Sequence, residues 1–252
     1  MEVVIVSDGL RLNGHLARPA ASSGGPGAVR HGLVLCHGFP VGPRGAATAA
    51  QTYPELADRL AADTGWAVLA FNLRGTGSSE GDFSLGGWLS DLRAAMDHLL
   101  GLDDVTKAFL AGFSTGGSLA LCAAGEDHRV AGVASFGAPA DFDAWASDPR
   151  RFLEHARTIG VVTTKEFPPA FDVWARELRE IRPVSLIAKV PPRPVLLVHG
   201  ADDDTVSPMD SRALADAADG SVEHRLLQGA GHRLRHDPRA LAILLGWLDR
   251  QV

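Results

Sequence analysis

The stretch KAFLAGFSTGGSLALCAAG, residues 107–125, decides how the rest of the chain is interpreted. It opens with a short apolar run, passes through the pattern GxSxG at Gly112, Ser114 and Gly116, and continues as a run of small residues. This order predicts a strand, a sharp turn and a helix, with the Ser114 hydroxyl presented above the end of a sheet. GxSxG also arises by chance in glycine-rich chains, and the strand-like and helix-like runs around it are what favour a reactive serine here.

Composition and charge exclude several classes of protein. Of the 252 residues, 46% are apolar and 21% are charged, which is enough for a sizeable core and unlike a disordered chain. The net charge of -6 comes without a long cluster of Lys or Arg, so we expect no nucleic-acid partner. The first ten residues lack the pattern of a signal peptide, and no apolar stretch approaches the roughly 20 residues that span a bilayer. We therefore expect a soluble, cytoplasmic protein without a membrane partner.

The cysteines and histidines give no sign of a disulfide or a metal site. Cys36 and Cys122 both lie inside apolar runs, so we expect two buried free thiols in a reducing compartment. The ten histidines include no HExxH pattern and no Cys/His cluster with the spacing of metal ligands. We expect neither a metal nor another cofactor.

Strand-like and helix-like segments alternate along most of the chain. This alternation predicts an α/β fold, with a mostly parallel sheet of eight strands, helices on both faces and a β-hairpin at the sheet edge. The residues AASSGGPGAVR at 20–30 are interpreted as a flexible surface loop. Besides the helix after Ser114 and a last helix ending at Trp247, helices are predicted at 53–63, 85–100 and 209–218, and strands at 3–6, 10–17, 32–36, 66–73, 108–111, 130–136, 193–199 and 222–227.

Between residues 141 and 190, which we call the cap segment, the alternation stops. We expect one domain over residues 1–252, with the cap segment inserted as short helices packed over the strand ends. Its aromatic side chains allow two interpretations: they attach the cap segment to the core, or they line a substrate pocket. These aromatic residues are Phe142, Trp145, Phe152, Phe167, Phe171 and Trp174. The candidate substrate-binding residues among them are Phe142, Trp145, Phe171 and Trp174.

Two further turns follow predicted strands. HGFP, residues 37–40, stands where a loop of this kind of sheet supplies an N–H group to an oxyanion. The candidate oxyanion-hole donors are the N–H groups of Phe39 and of Thr115, the latter at the start of the helix after Ser114. NLRGTGSSEG, residues 72–81, contains neither GKS/GKT nor GxGxxG, so it predicts a turn beside the site and no nucleotide site.

A serine nucleophile needs a base and a carboxylate, and both are expected in loops after later strands. The turns HGADDDTVSP and GAGH, which begin at residues 199 and 229, stand in those positions and provide Asp203 and His232. Asp202 and Asp204 adjoin Asp203, and one or two of the three carboxylates are expected to cap the next helix or hold the turn.

The other histidines near these turns have structural interpretations. His37 and His199 lie in HG turns, where hydrogen bonds to the backbone are expected. His236 falls inside or at the start of the last helix. His232, next to a glycine in a loop, is therefore the candidate base.

HGFP, NLRGTGSSEG, GFSTGG, HGADDDTV and GAGH occur in this order, and together they resemble the α/β-hydrolase superfamily over essentially the whole chain. The chain is similar to its small capped serine esterases and acyl-peptidase-like hydrolases, feruloyl and cinnamoyl esterases among them. The resemblance implies that Asp203 is the acid and His232 the base of a triad. Asn72 stands where many relatives have Asp before RG, and Ser207 precedes Pro208 where many have Val.

The expected function is hydrolysis of a carboxylic ester, with a medium-chain or aromatic acyl group, through an acyl-enzyme on Ser114. The expected partner is a small-molecule ester substrate. An amidase or acyl-peptidase with the same triad is an alternative, and so is a non-catalytic relative that binds a ligand. The sequence leaves the natural substrate and the oligomeric state, a homodimer included, open.

Overall fold

The computed structural model describes residues 1–19 and 30–251, so nearly all of the loop predicted at 20–30 lies outside the described residues. Within those ranges the strands form one sheet of eight. Every strand expected from the sequence is present, with its ends within a few residues of the predicted ones. The strands are β1 (Glu2–Ser7), β2 (Leu10–Ala17), β3 (Arg30–Cys36), β4 (Ala67–Phe71), β5 (Val105–Phe113), β6 (Val130–Phe136), β7 (Val195–Gly200) and β8 (Glu223–Leu227).

The sheet is mostly parallel, in the order β1-β2-β4-β3-β5-β6-β7-β8. β1 and β2 form an antiparallel hairpin and β2 also runs antiparallel to β4, whereas all later neighbours are parallel. The register pairs Cys36 with Gly112, and Phe136 with Val198. The loops that follow β3, β5, β6 and β7 therefore leave the same edge of the sheet side by side.

Helices connect most of the parallel strands, and proline or a capping side chain marks several of their starts. Ser84 accepts a hydrogen bond from Gly87 N–H at the start of one helix, and Asp237 caps another through Arg239 N–H. No helix in the described part of the chain is long and apolar enough to cross a membrane. The helices are α1 (Tyr53–Thr64), α2 (Leu85–Leu100), α3 (Thr115–Glu126), α4 (Asp143–Ser147), α5 (Pro149–Ile159), α6 (Phe171–Glu180), α7 (Pro183–Leu186), α8 (Pro208–Ala217) and α9 (Pro238–Asp249).

The core has two clusters, one on each face of the sheet. Along β3, Val34 and Cys36 belong to one cluster while Leu33 and Leu35 belong to the other, because successive side chains of a strand point to opposite faces. Helices α2 and α3 pack on the first face, and α1 and α9 on the second. Cys36 and Cys122 are buried free thiols, and burial raises the pKa of each. The fold class predicted from the sequence is confirmed.

The cap segment lies between β6 and β7 and holds helices α4 to α7. Side chains of α6 attach it to the start of α2. Trp174 Nε1–H donates to Phe83 O at 3.1 Å, and the Glu177 carboxylate accepts from Gly86 N–H at 3.0 Å. The cap segment is thereby fixed to the face of the sheet that carries α2.

Candidate active site

Ser114 stands at the junction between β5 and α3, in the turn predicted from GxSxG. Its backbone has φ 54 and ψ -128, a conformation that is unusual for any residue other than glycine. Its N–H donates to Phe136 O at 2.7 Å, which fixes the turn to the end of β6. The turn therefore holds Ser114 in a strained backbone conformation at the edge where the strand ends meet.

The glycines around Ser114 are required for close approach of backbones. Neither Gly112 nor Gly116 has a positive φ, and the positive φ of the turn belongs to Ser114. A Cβ added to Gly112 would lie 2.2 Å from Gly116 O, and one added to Gly116 would lie 2.4 Å from His37 O. A Cβ on Gly38 would lie 2.8 Å from Ser114 Cβ. The sequence predicted glycines for a tight bend, and the structure shows that they bring the HGFP loop against the turn.

The structure brings Ser114, His232 and Asp203 into one hydrogen-bonded chain. His232 Nε2 lies 3.0 Å from Ser114 Oγ, and His232 Nδ1 lies 2.8 Å from Asp203 Oδ2. Because a carboxylate only accepts hydrogen bonds, Nδ1 carries the proton and Nε2 is left to accept from the serine hydroxyl. This arrangement can remove the proton from Ser114 and stabilise the imidazolium that results.

The carboxylate of Asp203 is fully buried and fixed on both oxygens. Oδ1 accepts from Thr205 N–H and Val206 N–H, both at 2.9 Å. Oδ2, which receives His232, also lies 3.2 Å from His199 Nε2. These donors fix the orientation of the carboxylate toward His232.

The other candidates in this loop have different positions. Ser207, and none of the three aspartates, caps α8, by accepting from Met209 N–H at 3.2 Å. Asp204 accepts from Thr205 Oγ1, and among the described residues no hydrogen bond joins Asp202 or Asp204 to His232. Asp203 also holds the turn. One carboxylate therefore contacts His232 and fixes the loop, whereas from the sequence we expected neighbouring aspartates to fix the loop.

His199 makes the backbone hydrogen bond expected of it. Its Nε2 lies 3.0 Å from Val206 O and 3.2 Å from Asp203 Oδ2, and since both partners only accept, Nε2 carries the proton. Nδ1 of the same ring is buried without a partner in the described part of the chain. His199 thus donates its Nε2–H to the carboxylate of Asp203.

His37 connects two loops of the site. Its Nδ1–H donates to Gly38 O at 2.8 Å, and its Nε2 accepts from Leu73 N–H at 3.2 Å. Burial lowers the pKa of His37 to about 4, so the ring is neutral near pH 7. His37 therefore ties the HGFP loop to the turn after β4, which lies beside the site as predicted.

The two candidate oxyanion donors belong to residues close to Ser114. Phe39 follows Gly38, whose backbone approaches Ser114 closely, and Thr115 is the first residue of α3. Within the described residues, neither the Phe39 N–H nor the Thr115 N–H donates a hydrogen bond. The N-terminus of α3 adds a positive potential at the same place. Two free N–H groups beside a nucleophile are what an oxyanion hole requires.

Two cavities meet at Ser114 and His232. One, which we call the aromatic cavity, encloses about 340 Å³ and is lined by Pro139, Phe142, Ala144, Trp145 and Val206 among others. The other, which we call the arginine cavity, encloses about 290 Å³ and is lined by Tyr53, Phe113, Arg233, Arg235 and His236 among others. Phe39 and Pro40 line both cavities, so the HGFP loop borders each of them.

The four aromatic candidates of the cap segment divide into two pairs. Phe142 and Trp145 line the aromatic cavity and their rings stack at 5.2 Å. Phe171 and Trp174 line neither cavity, because Trp174 is buried on Phe83 and Phe171 lies under the Arg150 guanidinium at 4.8 Å. Trp174 thus attaches the cap segment to the core, whereas Phe142 and Trp145 line a cavity beside Ser114, and their role in binding a substrate stays a prediction.

Sequence reasoning missed the residues of the arginine cavity. Arg233 and Arg235 follow His232 directly in the run HRLRH, and two arginines so close to a candidate base were a signal that could have been used. His236 was expected inside or at the start of the last helix, but it ends a 3-10 turn, Leu234–His236, that precedes α9.

A comparison with protein families places the chain. The model of the alpha/beta hydrolase family matches residues 33–243, which is most of the sequence. The chain belongs to the α/β-hydrolase family. Among curated proteins, no match was found.

Solved structures of α/β-hydrolases share the fold over nearly the whole chain. The α/β-hydrolase GrgF from Penicillium sp. sh18 has a TM-score of 0.73 at 19% identity, covering 99% of this chain and 98% of that one. The Pyrococcus furiosus esterase Pf2001 has a TM-score of 0.70 at 17% identity, covering 99% and 91%. Est1E from Butyrivibrio proteoclasticus, solved with ferulic acid bound, has a TM-score of 0.67 at 24% identity, covering 99% and 97%. These likenesses concern the fold.

Proposed function

We propose that this α/β-hydrolase cleaves carboxylic esters through an acyl-enzyme intermediate on Ser114. The observation that carries the proposal is the chain of hydrogen bonds from Ser114 Oγ through His232 to the buried Asp203 carboxylate, at 3.0 and 2.8 Å. These distances are those of an activated nucleophile with an oriented base. Ser114 has a strained backbone conformation in this turn, and it lines both cavities.

In the acylation half of the reaction, Ser114 Oγ attacks the ester carbonyl carbon while its proton passes to His232 Nε2. Asp203 stabilises the imidazolium through the Nδ1–H bond, and the Phe39 and Thr115 N–H groups hold the negative carbonyl oxygen. The tetrahedral intermediate then collapses. The bond between the carbonyl carbon and the alcohol oxygen breaks, and His232 returns the proton to the leaving alcohol.

Deacylation repeats these steps with water as the nucleophile. His232 Nε2 takes a proton from water, whose oxygen attacks the acyl carbon, and the same N–H groups hold the oxyanion. The bond to Ser114 Oγ breaks, and His232 returns the proton to the serine. The products are a carboxylic acid and the regenerated enzyme.

The acyl group is proposed to be medium-chain or aromatic, and to occupy the aromatic cavity. Phe142 and Trp145 give this cavity an apolar wall, and about 340 Å³ is enough for a group of this size. Burial of methylene groups or of an aryl ring against that wall favours larger acyl groups over acetyl. Ferulic acid bound to the similarly folded Est1E supports an aromatic acyl group.

The test compares p-nitrophenyl hexanoate with hexanoyl p-nitroanilide, its matched amide, in the wild type and in Ser114→Ala. We expect ester hydrolysis in the wild type, slower hydrolysis of the anilide, and a loss of about 10⁴ or more in Ser114→Ala. The matched control is Ser118→Ala, which should keep most of the activity. Ser118 lies in α3, the helix that follows Ser114, and its hydroxyl donates to Pro139 O. Faster turnover of the anilide would favour an amidase, and hydrolysis of neither compound would favour a binding protein.

A further inference from the structure

The arginine cavity is a second subsite of unusual charge. It opens on Ser114 and His232 and is lined by Arg233, Arg235 and His236, and no Asp or Glu lines it. The aromatic cavity differs, since Asp141 and Asp210 are part of its lining. The two sides of Ser114 therefore present different charges to a substrate.

Among the described residues, no carboxylate lies within salt-bridge distance of the two arginines of this cavity. In the part of the chain that the structure describes, neither Arg233 nor Arg235 forms a salt bridge, whereas Arg239 in the next turn pairs with Asp237 at 2.7 Å. Residues 20–29, which lie outside the described ranges, contain no Asp or Glu. An unpaired guanidinium in a cavity is a ready partner for an anion.

Neutral groups hold Arg235 in place. Its guanidinium lies over the Tyr53 ring at 4.8 Å and donates to Thr52 Oγ1 and to His236 Nε2. Because His236 Nε2 accepts this hydrogen bond, the ring is unprotonated there, and burial together with the nearby Arg235 lowers the pKa of His236. Arg235 is thus oriented while its charge and its remaining N–H donors stay available.

We propose that the arginine cavity binds a carboxylate or phosphate group carried by the ester substrate, with Arg235 as its main ligand and Arg233 as a second positive charge at the mouth. This inference rests on the proposed ester hydrolysis, because it assigns the substrate class of that same site. Because the acyl group is proposed to occupy the aromatic cavity, the anionic group belongs to the alcohol limb of the ester. The substrate class is accordingly an ester of an alcohol or phenol that carries a carboxylate or phosphate group.

The first measurement uses two pairs of substrates that differ in one charge. For the alcohol limb, 4-butyryloxybenzoate is compared with 4-butyryloxybenzamide. For the acyl limb, monoethyl adipate is compared with ethyl 5-carbamoylpentanoate. Each member's kcat/KM is measured in the wild type, in the double variant Arg233→Gln/Arg235→Gln, and in Arg239→Gln as the matched control. Intrinsic differences in ester reactivity cancel when the ratio of anionic to neutral kcat/KM is compared between proteins.

We expect the double variant to lower that ratio by about tenfold or more for the alcohol-limb pair, because a charge-assisted hydrogen bond is lost only with the anion. Arg239→Gln should leave the ratio unchanged. Arg235→Lys, which keeps the charge and loses the planar fork, should fall between the wild type and Arg235→Gln. A response confined to the acyl-limb pair, or ratios unchanged within twofold for both pairs, would overturn the proposal.

A binding measurement keeps this inference separate from the proposed function. In Ser114→Ala, titration calorimetry gives the Kd of 4-butyryloxybenzoate, of monoethyl adipate and of their neutral partners without turnover. We expect 4-butyryloxybenzoate to bind about tenfold more tightly than its amide, and this preference to disappear when Arg233 and Arg235 are both changed to Gln. Equal affinities for anions and amides would reject the arginine subsite even in an active esterase. If the preference depends on the arginines but the wild-type protein hydrolyses none of these esters, the proposed esterase activity would be rejected and the subsite retained.

Discussion

The edge of the sheet around Ser114 and the cap segment are built in different ways. At the edge, backbone groups approach one another within contact distance, and Gly38, Gly112 and Gly116 leave no room for a Cβ. In the cap segment, stacked side chains make the contacts, as between Trp145 and Phe152 at 4.2 Å. A backbone framework positions reacting atoms and tolerates little change, whereas side-chain packing can be altered without moving the backbone. The difference separates the part that is proposed to set the chemistry from the part that is proposed to set the substrate.

The largest effect on activity is expected at Asp203, the buried carboxylate at the edge of the sheet. Asp203→Asn should lower kcat/KM for p-nitrophenyl hexanoate by about 10⁴, because an amide N–H facing His232 favours the wrong tautomer. Asp202→Asn and Asp204→Asn, in the same loop, should each cost less than about fivefold. Steady-state kinetics of the three purified variants measures this. A larger loss in Asp202→Asn than in Asp203→Asn would contradict the assignment of the acid.

A second effect at the edge concerns His37, which joins the HGFP loop to the turn after β4, and it is measured as a change in the free energy of unfolding. His37 is neutral when folded with a pKa of about 4, while an unfolded histidine titrates near 6.5. Between these values the unfolded state binds more protons, so the contribution of His37 is fully present above about pH 6.5 and is lost as the pH falls toward 4. From pH 7 to pH 5 this loss is about 2 kcal/mol.

The variant His37→Asn keeps a donor and an acceptor but cannot take up the proton. We expect its free energy of unfolding, measured with urea, to be lower than that of the wild type at pH 7. The difference should shrink by about 2 kcal/mol at pH 5, while other titrating groups cancel in the comparison. If the free energies of unfolding of the two proteins changed in parallel with pH, His37 would not be a buried neutral side chain that joins the two loops.

The smallest effect is expected in the cap segment, and it appears as selectivity. Trp145→Ala should reduce the advantage of p-nitrophenyl hexanoate over p-nitrophenyl acetate in kcat/KM by about tenfold, since it removes apolar wall from the aromatic cavity. Phe171→Ala is the matched control, because Phe171 lines neither cavity and the ratio should stay as in the wild type. A ratio that changes in Phe171→Ala and not in Trp145→Ala would assign the acyl group to another surface.

The same contrast explains what the sequence could predict. The strands, the turn at Ser114 and the order of the loops that carry Asp203 and His232 follow from local patterns, because each apolar run and each turn is set by neighbours in the chain. Because the carboxyl ends of parallel strands lie at the same edge of the sheet, the strand assignments also predict that these loops lie at that edge. The structure brings the three candidate catalytic residues within hydrogen-bond distance, and their roles stay a prediction.

Side-chain positions beyond the turns could not be obtained in this way. Helical spacing shows that Trp174 lies on the apolar face of its helix, but it does not show whether that face meets Phe83 or a cavity. The stacking of Arg235 on Tyr53 joins residues far apart in the chain, and no local pattern encodes it. The sequence left open whether the neighbouring aspartates cap the next helix or hold the turn, and in the structure Asp203 holds the turn while Ser207 caps α8.

The central claim is that Ser114 is the nucleophile, and covalent labelling tests it most directly. The protein is incubated with a fluorophosphonate probe, digested and analysed by mass spectrometry, while hydrolysis of p-nitrophenyl hexanoate is followed in parallel. The account predicts one adduct on Ser114, a loss of activity in proportion to labelling, and no adduct in Ser114→Ala, because the buried Asp203 and His232 activate that hydroxyl alone. Ester hydrolysis that persists with Ser114 fully labelled, or an adduct on another serine that abolishes it, would contradict the account.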